Sequence, residues 1–415
     1  MMGTRKDKKG RVLHTGESQR DKYYIYQYTD INGKRRVIYA KDLPELRMKE
    51  KEIKRALDDG MDTYQMATQT LNDAFDRYFA SRTDLKHTSR LSYKYLYDHY
   101  VREGFGMRKL TKIRYSDVKL FYMSLVQEKE LSKKTLSMIH SLISQVMSEA
   151  VRDNILRINP ADGVIKELLR KNGMKEKRRH PLTVEQQEAF VLYLMKCPEF
   201  ERWRPLFIVL LGTGCRIGEV LGLRWNDIDF DSKCIYITHS LLHTTLDNGR
   251  VGYYVSTPKT EAGNRVIPMM SQVEQAFLLE KEGQYFRNSR VKGYKKPVVD
   301  GYTDFVFTDP KRKGGLLHAA IINKVIRSII HGYNEQEAEE AAKEKRKPLL
   351  LPDITCHHFR HTFCTRFCEN ETNLKVIQDI MGHASITTTM NKYAEATEVV
   401  KKDSMRNLEN RILIM

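Results

Sequence analysis

Several short segments in the second half of the chain carry residue types able to handle a phosphate group. In GTGCRIGEV, Gly212-Thr213-Gly214 reads as a turn between two helices. Arg216 opens the second helix, and Glu219 stands one turn later on the same face, able to orient the guanidinium. Taken alone, this is also the pattern of an ordinary intrahelical ion pair. In TPKTEAGNRVIP, Lys259 lies at the tip of two expected strands, where a lone lysine is normally solvated. In DITCHHFRHTFCTRF, Thr355 reads as an N-cap, and His357 and Arg360 project from one face of the first helical turn. There the side chains and the helix N-terminus can face one anion. In IQDIMGHASITTTMNKYAEA, Met381-Gly382 reads as a helix C-cap and turn, with His383 next and Tyr393 ten residues further on. The chain has 22 tyrosines, so Tyr393 takes its meaning only from its place after the other elements.

These residues need a scaffold, and the sequence outlines one. Residues 1–41 hold 11 Lys/Arg against 4 Asp/Glu. Three short runs there read as strands: around Val12–Leu13, YYIYQYT at 23–29 and RRVIYA at 35–40. Asp30-Ile31-Asn32-Gly33 is a hairpin signal between the last two. The result is a small basic antiparallel sheet, and a two-stranded ribbon of that kind fits a DNA major groove. Lys34, Arg35 and Arg36 are the candidate contacts; the alternative is a solvated hairpin tip. A helix is expected from Leu46 to about Leu57, ended by Asp58-Asp59-Gly60. From about 66 to 165 the pattern is helical, with helices through 70–81, 91–101 and Thr111–Leu125, and a fourth capped by Ser132. A charged stretch, KELLRKNGMKEKRRHP, follows and reads as a linker. Beyond it lie helices over LTVEQQEAFVLYLMK, PLFIVLLGTG and CRIGEVLGLRW, then strands at 234–240, 252–259 and 265–269, then further helices. The last segment, 396–412, is an amphipathic helix candidate through Val399, Met405, Leu408 and Ile412.

Bulk properties narrow the function. The chain of 415 residues has 71 Lys+Arg, 53 Asp+Glu and a formal net charge of +18, with a pI near 9.4, which attracts polyanions such as nucleic acids. No apolar run reaches the roughly 18 residues of a membrane span. The first residues, MMGTRKDKKGRVLHTG, lack the apolar core of a secretory signal, so a cytoplasmic protein is expected. The six cysteines form no CxxC pair and read as reduced, buried side chains. His357, His358, His361, Cys364 and Cys368 lie close in sequence, but helical geometry scatters them around a cylinder, so no metal site is expected.

The ordered set Arg216, Lys259, His357-x-x-Arg360, His383 and Tyr393 resembles the tyrosine recombinase (phage-integrase) family. The segment 182–395 is similar to its catalytic domain, and the helical block to its core-binding domain. RVLHTGESQR with the YYIYQYTDINGK hairpin resembles the arm-type DNA-binding domain of conjugative-transposon integrases. The interval from His383 to Tyr393 is ten residues where many members have nine, and the HxxR register selects His357 over its neighbour His358. The resemblance implies a multidomain fold: a small N-terminal three-stranded β arm-binding domain (1–65), an all-α SAM-like core-binding domain (66–168), a linker (169–181) and a catalytic domain (182–395). The last is mainly α with a small antiparallel sheet, the DNA breaking-rejoining fold; a C-terminal helix (396–415) would be exchanged with a neighbouring protomer.

It also implies a reaction. Tyr393 would attack a DNA phosphodiester and hold a 3′-phosphotyrosine, with Arg216, Arg360 and His383 on the non-bridging oxygens. His357 would act as base, Lys259 as acid on the leaving 5′-oxygen, and Glu219 would orient Arg216. No cofactor is required, because the bond energy is kept in the phosphotyrosine. The implied partners are double-stranded DNA at core-type and arm-type sites, three further copies in a homotetramer, an excisionase and a host DNA-bending protein. The rival readings are an Xer-like resolvase, a type IB topoisomerase-like enzyme and a DNA-binding regulator without cleavage.

Overall fold

The hairpin turn fixes the register of the first sheet. The Asp30 carboxylate accepts from the backbone of Asn32 (3.0 Å) and Lys34 (2.8 Å), and Gly33 takes the left-handed φ of 74° that closes the turn. Thr29 therefore faces Arg35. The computed structural model describes residues 5–171, 180–246, 249–258, 261–312, 314–371, 373–383, 385–387 and 390. The chain divides into two compact units, residues 1–177 and 178–415.

The first unit opens with the antiparallel sheet β1 (Glu17–Arg20), β2 (Tyr23–Thr29) and β3 (Arg35–Ala40). Its first strand differs from the sequence expectation. Val12 makes only an isolated bridge to Lys6, and the paired strand is ESQR. The cause is a buried carboxylate. Glu17 accepts from Arg47 (3.0 Å) and from the His14 backbone (2.7 Å), which seats this polar strand against helix α1 (Leu43–Asp58). Tyr24, Tyr26 and Ala40 pack on Leu43 and Leu46 from the same side.

Seven helices of this unit are α1, α2 (Thr63–Thr68), α3 (Leu71–Ser81), α4 (His87–Tyr97), α5 (Tyr115–Lys129), α6 (Lys133–Arg152) and α7 (Val164–Lys171). Caps set their starts. Thr70 and Asp73 form a capping box on α3, and Ser132 accepts from Thr135 N (3.2 Å) on α6. The third helix of the block begins at Tyr115 rather than Thr111, because Asp117 caps the Arg114 N–H (2.9 Å) while residues 110–112 form a separate tight turn. Leu136, Ile139, Ile143, Val146 and Met147 make a fully buried stripe along α6. Beyond it, Asn159 anchors the chain on Ser144 O (3.0 Å) ahead of Pro160.

The second unit is built on α8 (Val184–Lys196), α9 (Arg204–Thr213) and the short α10 (Ile217–Gly222). Strands β4 (Ile228–Asp229), β5 (Cys234–Ile237), β6 (Ser240–Thr245), β7 (Val251–Ser256) and β8 (Arg265–Pro268) follow, then α11 (Ser271–Ser289), α12 (Ala319–Glu344), α13 (Cys356–Asn370) and α14 (Leu374–Met381). Phe190, Phe207 and Phe359 meet edge-on and tilted at the centre of the core, each burial worth about 2–3 kcal/mol.

The strands pair differently from the expected run. The segment 234–240 breaks at Thr238-His239, because the buried His239 ring bonds Gly222 O (2.7 Å). β5 therefore joins a sheet ordered β4-β5-β8, while β6 and β7 form a separate ribbon. The strands flanking the Lys259 loop thus belong to different sheets. β6 lies tight on α10, where a Cβ at Gly222 would stand 2.8 Å from the Leu241 backbone nitrogen.

Candidate active site

The turn that delivers Arg216 requires its glycine. Gly214 caps α9 in the left-handed conformation, and a Cβ there would sit 2.3 Å from the Phe363 ring of α13. The chain then passes through the buried Cys215 to Arg216, the N-cap of α10. The Arg216 backbone donates to Glu219 Oε2 (2.9 Å) and its Nη1 to Glu219 Oε1 (2.7 Å). Arg216 keeps 46% of its side chain exposed whereas Glu219 keeps 6%, so the carboxylate holds the guanidinium from behind and leaves its outer edge open. Glu219 thus bonds the guanidinium it was expected to orient. Burial opposes the charge on Glu219, but hydrogen bonds from Arg265 and the charges of Arg265 and Arg216 outweigh it and hold the carboxyl down at about 2.

Arg360 enters from α13. Thr355 caps that helix as expected, and the Cys356 backbone N–H is fixed by Asn323 Oδ1 of α12 (2.9 Å). His358 belongs to the cap: its Nδ1 accepts from the Thr355 N–H (3.0 Å). His357 is exposed one residue earlier. Arg360 is buried, with Nη1 donating to Gly214 O (2.9 Å) and Nη2 to Met381 O (2.5 Å). Burial and the neighbouring Arg216 charge pull its pKa down to about 10.

His383 follows Gly382, which caps α14 at φ 60° as expected. The His383 backbone N–H donates to Gln378 O (3.1 Å), and the Gln378 side chain returns a bond to His383 O (3.0 Å). Lys259 and Tyr393 lie outside the described residues, as do the linker residues 172–179 and the C-terminal helix candidate.

One member of the cluster is absent from the residues singled out in the sequence. Arg265 on β8 is buried and donates Nη2 to Glu219 Oε2 (2.7 Å) and Nε to Ile380 O (2.8 Å). Its signal was the strand alternation in RVIP: Ile267 points into the core, so Arg265, two residues earlier, must point there too. A buried arginine demands an acid. Among the described residues the cluster holds the cations Arg216, Arg265 and Arg360 and the anion Glu219, a net charge of 3 − 1 = +2. Such an arrangement is suited to a phosphate that gains negative charge as it reacts.

The cysteines near His357 serve the core: Cys364 and Cys368 pack with Ile377 and Met381. Among the described residues the set with metal-ligand spacing is His14, Glu17 and Glu50 in the other unit, whose carboxylates already pair with Arg47 (3.0 Å) and Lys54 (2.6 Å). At the N-terminal hairpin Lys34 and Arg35 are exposed. Arg36 instead bonds Asp30 (2.7 Å) and stacks over the Tyr64 ring (3.7 Å).

The chain is similar to known proteins over most of its length. Residues 180–399 match the phage integrase family, residues 1–57 the DNA binding domain of Tn916 integrase, and residues 70–126 the phage integrase N-terminal SAM-like domain. The chain is 31% identical over 411 residues to the transposase from transposon Tn1545 of Streptococcus agalactiae, covering 96% of this chain and 95% of that protein. The transposase from transposon Tn916 of Enterococcus faecalis is likewise 31% identical, over 96% of this chain and 95% of its own length. A solved Tn1549 transposon integrase, in complex with transposon right end DNA, is similar at a TM-score of 0.69 and 30% identity, over 82% of this chain and 100% of that one.

Proposed function

Since this chain belongs to the phage integrase family, we propose a division of labour among its residues for cutting and rejoining DNA. The protein is a tyrosine recombinase that integrates and excises a mobile element of the conjugative-transposon kind. The observation that carries the residue roles is the gathering of Arg216, Arg360 and Arg265 around Glu219, with Arg216 the most exposed of the three.

Arg216 and the remaining N–H groups of Arg360 clamp the non-bridging oxygens of the scissile phosphate. His383 adds a donor. Tyr393 attacks phosphorus, its proton passes to His357, and the bond to the 5′-oxygen breaks as Lys259 supplies a proton. A tyrosine hydroxyl has an ordinary pKa of about 10, so attack at neutral pH needs that base. The reverse attack, by a 5′-hydroxyl from a second duplex, releases Tyr393 and joins the strands.

The domain boundaries follow the same reading: arm binding over 1–65, core binding over 66–168, a linker over 169–181, catalysis over 182–395 and an exchanged helix over 396–415. The N-terminal hairpin presents Lys34 and Arg35 to arm-type sites, with Arg36 holding the turn that carries them. Four protomers act on two duplexes, assisted by an excisionase and a host bending protein. The work is done in the cytoplasm; among the described residues no helix is long and apolar enough to cross a membrane.

Covalent trapping tests the assignment. Nicked duplexes made from the DNA flanking the element are mixed with the protein and run on denaturing gels. The expected result is a protein–DNA adduct carrying the 3′ phosphate, which disappears in Tyr393→Phe while DNA binding persists. Tight binding without any adduct from the native protein would point to a regulator instead.

A further inference from the structure

Arg265 is a buried cation to which the chemistry above gives no task. Removing a guanidinium from water is expensive unless its donors are satisfied, and here they are satisfied by groups from several elements. Nη2 donates to Glu219 Oε2 (2.7 Å) and toward Cys215 Sγ (3.6 Å); Nη1 reaches Glu219 Oε1 (3.3 Å) and Gly263 O (3.4 Å). Nε donates to Ile380 O (2.8 Å) in the last turn of α14. One planar group therefore grips the carboxylate behind Arg216 with one edge and the helix leading to His383 with the other. The fit on the α14 side is close. Gly382 has φ +60°, and a Cβ there would stand 3.0 Å from Arg265 Nη1 and 3.0 Å from Ala262 O. Arg360 bonds the adjacent carbonyl, Met381 O, so two buried arginines hold consecutive carbonyls at the end of α14.

We propose that Arg265 is the positioning residue of the cleavage centre: it fixes Glu219, and through it the open edge of Arg216, while setting where His383 leaves α14. It touches no substrate. Its planar fork bonds two oxygens of Glu219 and a carbonyl at once, which a lysine ammonium on a flexible stem cannot do. The inference rests on the reading of Arg216 as a phosphate clamp, and the experiment separates the two.

Single-turnover cleavage is measured on the nicked duplex that traps the adduct, and on the same duplex with a neutral methylphosphonate at the scissile position. A clamp acting on oxygen charge matters less when one charged oxygen is replaced by methyl. Arg265→Lys is expected to melt somewhat lower than the native chain but to stay folded and bind DNA at the assay temperature, yet cleave the phosphodiester about 10²-fold more slowly. On the methylphosphonate the defect should shrink by about tenfold or more. A purely structural role would slow both substrates equally, and that result, or native cleavage rates, overturns the proposal. If the lysine variant does not fold, Arg265→Gln carries the same comparison. Combining Arg265→Lys with Glu219→Gln should be no slower than the slower single variant, since both act through one link; a multiplied loss contradicts that link. Arg216→Ala runs in parallel. If it cleaves normally the clamp reading itself fails, whereas if it is impaired and the Arg265 variants are not, only the positioning inference falls.

Discussion

His357 and His358 are neighbours with separate tasks. His358 spends its Nδ1 on the Thr355 N–H (3.0 Å) at the start of α13, while His357 stands exposed on the preceding position of the turn. Substituting each by alanine should therefore separate chemistry from stability. His357→Ala is expected to lower the cleavage rate by about 10²-fold or more with the melting temperature retained. His358→Ala should cost about 1 kcal/mol of stability, as loss of a helix cap does, with cleavage close to native. Comparing adduct formation with thermal melting for the two variants checks this; a reversal of the two effects would move the proposed base to His358.

At the scale of elements, α11 carries an unusual carboxyl. Glu280 is buried on that helix, and burial, outweighing the hydrogen bond from Arg287 and the charge of Arg202, pushes its pKa up to about 7 from an ordinary 4.5. The sign follows from linkage. The folded state holds this proton more tightly than the unfolded one, so the stabilisation is complete below about pH 4.5 and is lost as pH rises through about 7. Glu280→Gln cannot titrate. Across that window the native chain should lose on the order of 3 kcal/mol that the glutamine variant does not lose. Denaturant melts at several pH values measure the difference, and parallel curves for the two proteins would show that Glu280 is ionised in the fold. The same helix packs against α9, which ends at Gly214 and so sets the start of the turn to Arg216.

For the whole molecule, the two proposed kinds of DNA contact fall in two units. The exposed Lys34 and Arg35 lie in the first unit, and the arginine cluster lies in the second. Lys34→Ala with Arg35→Ala should weaken binding to arm-type DNA and reduce the slope of log affinity against log salt by about 2, one per phosphate contact. Adduct formation on a short core-type nicked duplex should be unaffected. A titration of both DNAs over salt concentration decides the matter; equal losses on both would mean that the hairpin also serves the core site.

The sequence by itself determined the family, the order of the reactive side chains and most helix starts. Those features are local or ordinal: Ser132 caps because its hydroxyl accepts the Thr135 N–H, Thr355 because the His358 side chain three residues on accepts its N–H, and the β2–β3 hairpin closes because Asp30 and Gly33 sit in one turn. Only the tertiary structure decided what contacts across sequence distance settle. The polar strand Glu17–Arg20 exists because Arg47 of α1 receives its carboxylate, which no alternation of apolar residues announces. β5 parts from β6 because His239 reaches back to Gly222. Arg265 joins the site because a strand, a helix N-terminus and a helix C-terminus converge on one buried guanidinium, and that convergence is a property of packing.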